Sequence, residues 1–206
     1  MALSLKTQNQ PVLATLLLWN FAVLYIALAS NAPDWTQVSV LTAHWQQALL
    51  PAGVAVIAVG ILTAQFNPEW KARIVFWKWR DPLPAARAFT VIGPSDPRID
   101  MADLEKRRGP FPSAPAEQNR SWYKLYKTVE SQPAILAPHK SYLLYRDYTC
   151  LSLLVLLCAA PLSVWRHLAL GTVAILVVAL LAQYLIARNA ARLAGRRFVA
   201  TVLANA

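Results

Sequence analysis

The 206-residue sequence has little charge, glycine, histidine or cysteine. Charged residues make up 15% of the chain, against about 25% in an ordinary soluble domain. The apolar share of 57% excludes a disordered chain and argues against a cytosolic enzyme. Six glycines are too few for a phosphate-cradling loop without other support, and no Walker A, nucleophile-elbow, dinucleotide-binding or metalloprotease motif occurs. The sequence therefore predicts no catalytic residue, no cofactor and no metal site.

The apolar residues are concentrated in four almost uncharged runs. A helix that rises about 1.5 Å per residue needs about 20 residues to cross a hydrocarbon core of about 30 Å. Four runs approach or exceed this length and lack the alternation of apolar and polar residues that is typical of barrel strands. They are residues 11–30, 43–66, 148–165 and 168–187. The sequence predicts an all-α integral membrane protein with four transmembrane helices in two hairpins. A cleaved signal peptide is the alternative for the first run, because Ala-Leu-Ala at 27–29 resembles a cleavage site.

Polar and sulfur-containing residues within these runs are few. Asn20 and Gln183 are predicted to form hydrogen bonds between helices. Cys150 and Cys158 lie eight residues apart in the third run and have no disulfide or metal-site spacing. They are predicted to pack as small apolar residues.

The basic residues are segregated from the apolar ones and indicate orientation. Residues 67–147 hold 14 of the 20 lysines and arginines, and residues after 187 hold four more. Lys6 precedes the first run, and only Arg166 lies on the opposite side. Cytoplasmic loops carry such an excess, so both termini and the 67–147 insert are predicted to face the cytoplasm of a bacterial-type inner membrane. The predicted domains are an N-terminal hairpin (1–66), a cytoplasmic insert (67–147) and a C-terminal hairpin with a basic tail (148–206).

Aromatic and charged side chains mark the inner ends of the runs. The predicted membrane-interface residues are Trp70, Trp77, Trp79, Tyr142, Tyr145, Arg146 and Asp147. Asn67-Pro68-Glu69 is typical of a helix start. The helix that follows, over residues 70–80, mixes tryptophan with lysine and arginine. It is predicted to lie on the inner leaflet and attract anionic headgroups. At the membrane edge, an ion-pair role for Arg146 and Asp147 is favoured over a proton relay.

The middle of the insert contains short elements separated by prolines. Residues 88–93 are apolar and short enough for a strand, although no partner strand is evident. A short helix is predicted from Met101 to Arg108, closed by Gly109. Three nearby acids are interpreted as helix caps and surface ion pairs in preference to metal ligands; they are Asp96, Asp100 and Asp103.

The helix predicted over residues 117–130 carries the candidate binding residues. One interpretation is that Trp122, Leu125 and Val129 face a core and the basic side is solvated. The other is that basic and aromatic side chains together bind an anion such as a phosphate. The candidate ligand-binding residues are Asn119, Arg120, Tyr123, Lys124, Tyr126 and Lys127.

These features favour a non-enzymatic sensor or effector whose insert binds a partner or an anionic signal and couples it to the helix bundle. An accessory or assembly subunit of a larger membrane complex is the alternative, and a lipid-directed enzyme is a third reading. The expected partners are the bilayer with its anionic headgroups and either another protein or a second copy of the chain. The insert's 14 basic and nine acidic residues leave a net charge of +5. The positive-inside rule for cytoplasmic loops explains this excess, so a nucleic-acid partner is disfavoured.

Overall fold

The fold is described from a computed structural model, which describes residues 4–29, 61 and 64–206. The described residues are predominantly helical and form no strand. The all-α prediction is confirmed for this part of the chain. The predicted second run, residues 43–66, lies almost entirely outside the described residues.

Six helices of eight or more residues account for most of the described structure. They are α1 (Leu5–Ala29), α2 (Pro68–Phe76), α3 (Met101–Arg108), α4 (Pro115–Val129), α5 (Pro133–Trp165) and α6 (Leu170–Asn205). Between α2 and α3 the chain forms a 3-10 turn (Pro84–Arg87), a π-helical turn (Ala88–Ile92) and a short α-helical turn (Gly93–Ser95).

Two of these helices, α5 and α6, are long and apolar enough to cross a membrane. They contain 33 and 36 residues. At 1.5 Å per residue each is roughly 50 Å long, well beyond the thickness of a hydrocarbon core. The predicted third span (148–165) lies within α5, and the predicted fourth span (168–187) lies within α6 except for its first two residues. Four spans in two hairpins stay a prediction.

The chain forms two compact units. Unit 1 comprises Met1–Phe66, as far as it is described, and Asp147–Ala187. Unit 2 comprises Asn67–Arg146 and Arg188–Ala206. Both α5 and α6 contribute residues to each unit. Residues 188–206 belong to the same compact unit as the insert, although the sequence predicts them as a tail of the C-terminal hairpin.

In unit 1, a partly buried hydrogen bond joins α1 to α6. The Nε2 group of Gln183 donates to Oδ1 of Asn20 at 2.9 Å, and Asn20 is itself buried. The predicted interhelical hydrogen bond is therefore confirmed. Cys150 is buried, Cys158 is exposed, and both are free thiols.

We expect a small but measurable coupling between Asn20 and Gln183. Hydrogen bonds between apolar helices contribute about 0.6 kcal/mol on average when measured by double-mutant cycles in membrane proteins. Asn20→Leu, Gln183→Leu and the double variant complete such a cycle, with thermal unfolding in detergent as the measurement. Strict additivity of the two single substitutions would contradict a direct bond.

The core of unit 2 is built around α4 and the C-terminal part of α6. Trp122, Leu125 and Val129 are buried, as the core-facing interpretation of α4 predicts. The Trp122 ring packs edge-on against Phe198 of α6, with 5.3 Å between ring centroids. The His139 ring of α5 stacks on the Phe198 ring, with 4.5 Å between the ring centroids. Apolar contacts and aromatic pairs thus join three helices.

Residues 88–93, which are also short and apolar enough for a strand, are helical: Ala88–Ile92 form the π-helical turn and Gly93 begins the next turn. Ala88, Phe89 and Ile92 are buried on one side of that turn. The N–H of Phe89 donates to Oε1 of Gln118 at 3.1 Å, so a side chain satisfies it in place of a neighbouring strand.

Helix α2 starts as predicted but ends earlier than expected. Asn67 Oδ1 accepts a hydrogen bond from the Trp70 N–H at 2.8 Å, which is an N-cap contact. The helix ends at Phe76, whereas the sequence predicts that it continues to residue 80. Trp77 adopts a left-handed conformation with φ of 53° and donates its N–H to the Arg73 carbonyl at 2.8 Å. This C-cap turns the chain away from the helix axis.

Helix α3 spans Met101–Arg108 and is capped by Gly109, as predicted. The three acids near it serve as caps and surface pairs. Asp100 accepts from the N–H groups of Ala102 and Asp103 and so caps the helix. Ion pairs join Asp96 to Arg98 at 2.7 Å and Asp103 to Arg107 at 3.0 Å.

Candidate anion-binding site

Unit 2 contains a cavity of about 470 Å³ beside α2 and the first turns of α4. Three arginines line it, one from each of three segments: Arg73 from α2, Arg80 from the following loop and Arg120 from α4. Trp79 and Asn119 also contribute to the lining. The cavity therefore combines cationic, amide and aromatic side chains.

The backbone conformation of the loop after α2 brings Trp79 and Arg80 to the cavity. Trp77 and Asp81 flank them, and both have positive φ values, 53° and 46°. Non-glycine residues rarely adopt this region, and each such residue costs of order 1 kcal/mol or more. The surrounding packing holds the loop in this conformation.

Arg73 has unused hydrogen-bonding capacity within the described part of the chain. Its side chain is 27% exposed, and its Nε atom is buried without a hydrogen-bond partner. The nearest carboxylate oxygen, on Glu69, lies 3.7 Å from Nη2, which is long for an ion pair. The guanidinium also lies 4.7 Å from the ring centroid of Trp70. A buried donor without a partner is costly, so Arg73 is held in this position at the expense of one hydrogen bond.

Arg80 and Arg120 are both exposed. Among the residues that the structure describes, neither side chain has a hydrogen-bond or ion-pair partner. Two acids, Glu69 and Asp81, also line the cavity, so its formal charge is +1. A guanidinium presents parallel N–H donors that match the oxygens of phosphate or carboxylate groups. The arrangement suits the binding of a compact anion.

The structure divides the binding residues that the sequence predicts on α4. Asn119 and Arg120 line the cavity, whereas Tyr123, Lys124, Tyr126 and Lys127 do not. Lys124 and Tyr123 are exposed. Two of the six predicted residues thus line the cavity, and binding along the rest of the α4 stripe (Tyr123, Lys124, Tyr126 and Lys127) stays a prediction.

Lys127 and Tyr126 make contacts of their own within unit 2. Lys127 Nζ forms an ion pair with Glu130 Oε2 at 2.7 Å, and this hydrogen bond raises the pKa of Lys127. Tyr126 stacks on Trp122, and its Oη lies 3.3 Å from His139 Nδ1. Burial raises the pKa of Tyr126, so the phenol stays protonated at neutral pH.

The predicted membrane-interface residues fall into two groups. Trp70, Trp77 and Trp79 are 45%, 60% and 74% exposed. Tyr142 is buried in the core of unit 2, with the Arg146 guanidinium 5.7 Å from its ring centroid. Tyr145 is exposed and Asp147 is buried.

Sequence reasoning did not assign Arg73 and Arg80 to a binding site. Both were interpreted as part of a basic, aromatic helix at the membrane. They are more than 30 positions from Arg120 in the sequence, and only the tertiary fold of unit 2 brings them to one cavity. No local spacing rule relates such positions.

No protein-family model matches the sequence, and no curated protein or solved structure matches it. The chemistry of the cavity is therefore the basis for a functional assignment.

Proposed function

We propose that this chain is a membrane-anchored receptor whose unit 2 binds an anionic, phosphate-bearing ligand on the cytoplasmic face of a bacterial-type inner membrane. The observation that carries this proposal is the convergence of Arg73, Arg80 and Arg120 on one cavity. The absence of hydrogen-bond and ion-pair partners for Arg80 and Arg120 among the described residues supports it further.

The size and composition of the cavity favour a phosphate group on a small molecule. Its volume of about 470 Å³ lies within the usual range for small-molecule sites, about 300–1,000 Å³. Three guanidiniums provide several charge-assisted hydrogen bonds, and these are stronger than neutral ones. Trp79 supplies an apolar wall for the rest of the ligand.

As a sensor or effector, the protein couples ligand binding in unit 2 to its membrane-crossing helices. Helices α5 and α6 each have residues in both units. A ligand that binds one conformation of unit 2 more tightly shifts the protein toward that conformation. Continuous helices provide a physical route by which this shift reaches the apolar segments.

We expect the Arg80→Gln/Arg120→Gln double variant to bind pyrophosphate at least about 10²-fold more weakly than the wild type. A hydrogen bond to a charged group contributes about 1.5–3 kcal/mol, and two such groups are lost. Isothermal titration calorimetry of the full chain in an uncharged detergent measures the change.

The matched control for this experiment is Lys124→Gln/Lys127→Gln. It removes the same charge from the same unit, but neither lysine lines the cavity. We expect its affinity for pyrophosphate to stay within about threefold of the wild type, because exposed charges at a distance are screened. Equal losses in the two double variants would mean that general electrostatic attraction explains the binding. A loss confined to the lysine variant would identify the α4 stripe as the site.

The cytoplasmic position of unit 2 predicts a labelling pattern. Lys106 is exposed on α3, so Lys106→Cys offers an accessible thiol in a chain whose two native cysteines are replaced by alanine. Spheroplasts of a bacterial host treated with a membrane-impermeant maleimide should label this thiol only after permeabilisation. Labelling of intact spheroplasts would contradict the proposed orientation.

A further inference from the structure

We infer that the ligand of the cavity is the phosphate headgroup of an anionic phospholipid in the membrane to which the chain is anchored. This inference rests on the proposed function and names the source of its phosphate. It is carried by Trp79, which lines the cavity and is 74% exposed. A large indole beside an arginine cavity is suited to a bilayer interface.

Trp70, Trp77 and Trp79 form what we call the tryptophan surface of unit 2. The rings of Trp70 and Trp79 meet edge-on with centroids 6.1 Å apart. Tryptophan is enriched where one part of its ring meets apolar material and its N–H meets water, as in the headgroup layer of a membrane. Three largely exposed tryptophans within ten residues therefore favour contact with lipid.

Guanidinium groups accompany two of these tryptophans. Arg73 lies 4.7 Å from the ring centroid of Trp70, and Arg188 lies 3.5 Å from that of Trp77. An apolar ring and a cation thus lie side by side at both places, which is the combination found in peripheral segments that bind anionic membranes.

Positive charge is also crowded beside the tryptophan surface. Lys78 lies between Trp77 and Trp79 in the sequence, and its pKa is lowered by burial and by the nearby Arg87 and Arg192. An anionic leaflet would relieve this repulsion, because it supplies negative charge to all three groups.

A lipid headgroup explains both features of the site. A soluble phosphate compound would account for Arg80 and Arg120 but would leave the tryptophan surface facing water. The surface begins at Trp70, four residues after the predicted second span ends at residue 66. Lipid phosphates lie at the level of the membrane where such a segment emerges.

The test compares two lipids and a soluble anion on the full chain. Native mass spectrometry of the protein in uncharged detergent compares the retention of phosphatidylglycerol with that of phosphatidylcholine. Calorimetry with pyrophosphate measures the affinity for the soluble anion. We expect the wild type to retain phosphatidylglycerol about tenfold or more over phosphatidylcholine. Arg80→Gln/Arg120→Gln should abolish this preference, and Lys124→Gln/Lys127→Gln should keep it.

Trp77→Gln provides a second variant, because Trp77 belongs to the tryptophan surface but does not line the cavity. It should lower the preference for phosphatidylglycerol by a larger factor than it weakens pyrophosphate binding, because it removes an interfacial ring and no cavity-lining group. Circular dichroism of every variant confirms that it is folded.

The outcomes separate the inference from the proposed function. Binding of pyrophosphate through Arg80 and Arg120 without any lipid preference would overturn the lipid inference and leave the anion site in place. A lipid preference that survives Arg80→Gln/Arg120→Gln would overturn the inference as well, since the cavity would not be its source. Binding of neither probe would overturn both.

Discussion

Replacing Trp122 by alanine should lower the free energy of unfolding of unit 2 by about 3–5 kcal/mol, the usual cost of truncating a large buried aromatic side chain. Trp122 is buried, stacks on Tyr126 at 5.6 Å and packs edge-on against Phe198 at 5.3 Å. Its Nε1–H also donates to the Val199 carbonyl at 3.3 Å. The substitution removes apolar contacts between α4 and α6 together with the hydrogen bond from the indole to that carbonyl. Chemical unfolding in uncharged detergent, followed by circular dichroism, measures the loss.

Tyr123→Ala is the matched control for Trp122→Ala. Tyr123 is the next residue of α4 and is exposed. Its truncation should change the free energy of unfolding by no more than about 0.5 kcal/mol, as is usual at the surface. Similar losses in both variants would contradict the assignment of Trp122 to the core, because burial is the property that distinguishes the two rings.

The elements that the sequence predicts well are those whose ends are determined by neighbouring residues. Asn67 caps α2 through its own side chain, and Asp100 and Gly109 bound α3 in the same local way. The spacing of Trp122, Leu125 and Val129 likewise identifies the buried face of α4, because it follows the helical period. Such interactions join residues within one or two turns of each other.

The elements that the sequence does not predict depend on residues distant in the chain. Residues 88–93 resemble a strand in composition, but Gln118 supplies the acceptor that stabilises a π-helical turn there. The end of α2 at Phe76 depends on the left-handed conformation of Trp77 and on Arg188, whose guanidinium lies over the Trp77 ring. Tertiary contacts outweigh local propensity at both places.

The candidate site shows the same division. Asn119 and Arg120 were identified on α4 because basic residues recur there at helical spacing. The cavity is limited to the first turns of α4, so Lys124 and Lys127, one and two turns further along, lie beyond it. Arg73 and Arg80 complete the site from another part of the chain, and a helical repeat within α4 contains no information about them.

Gln118 is the buried polar residue on which the packing of the π-helical turn depends. It is 1% exposed. Its Oε1 accepts the Phe89 N–H at 3.1 Å, and its Nε2 donates to the Ser113 carbonyl at 2.7 Å. Nε2 also donates to Oγ1 of Thr90 at 3.1 Å. One side chain therefore links the start of α4 to the segment that precedes α3.

We expect Gln118→Met to lower the free energy of unfolding of unit 2 by about 2–4 kcal/mol, although it preserves the length of the side chain. The buried Phe89 N–H loses its acceptor, which costs about 1–3 kcal/mol, and the remaining hydrogen bonds contribute about 1 kcal/mol each. Hydrogen exchange at the Phe89 amide should accelerate more than exchange in α3, because the turn opens locally.

Gln132→Met is the control. Gln132 is half-buried, and its side chain forms no hydrogen bond within the described residues, so we expect the free energy of unfolding to change by no more than about 0.5 kcal/mol. If Gln118→Met retained both wild-type stability and a protected Phe89 amide, apolar packing of Ala88, Phe89 and Ile92 would suffice to hold the turn.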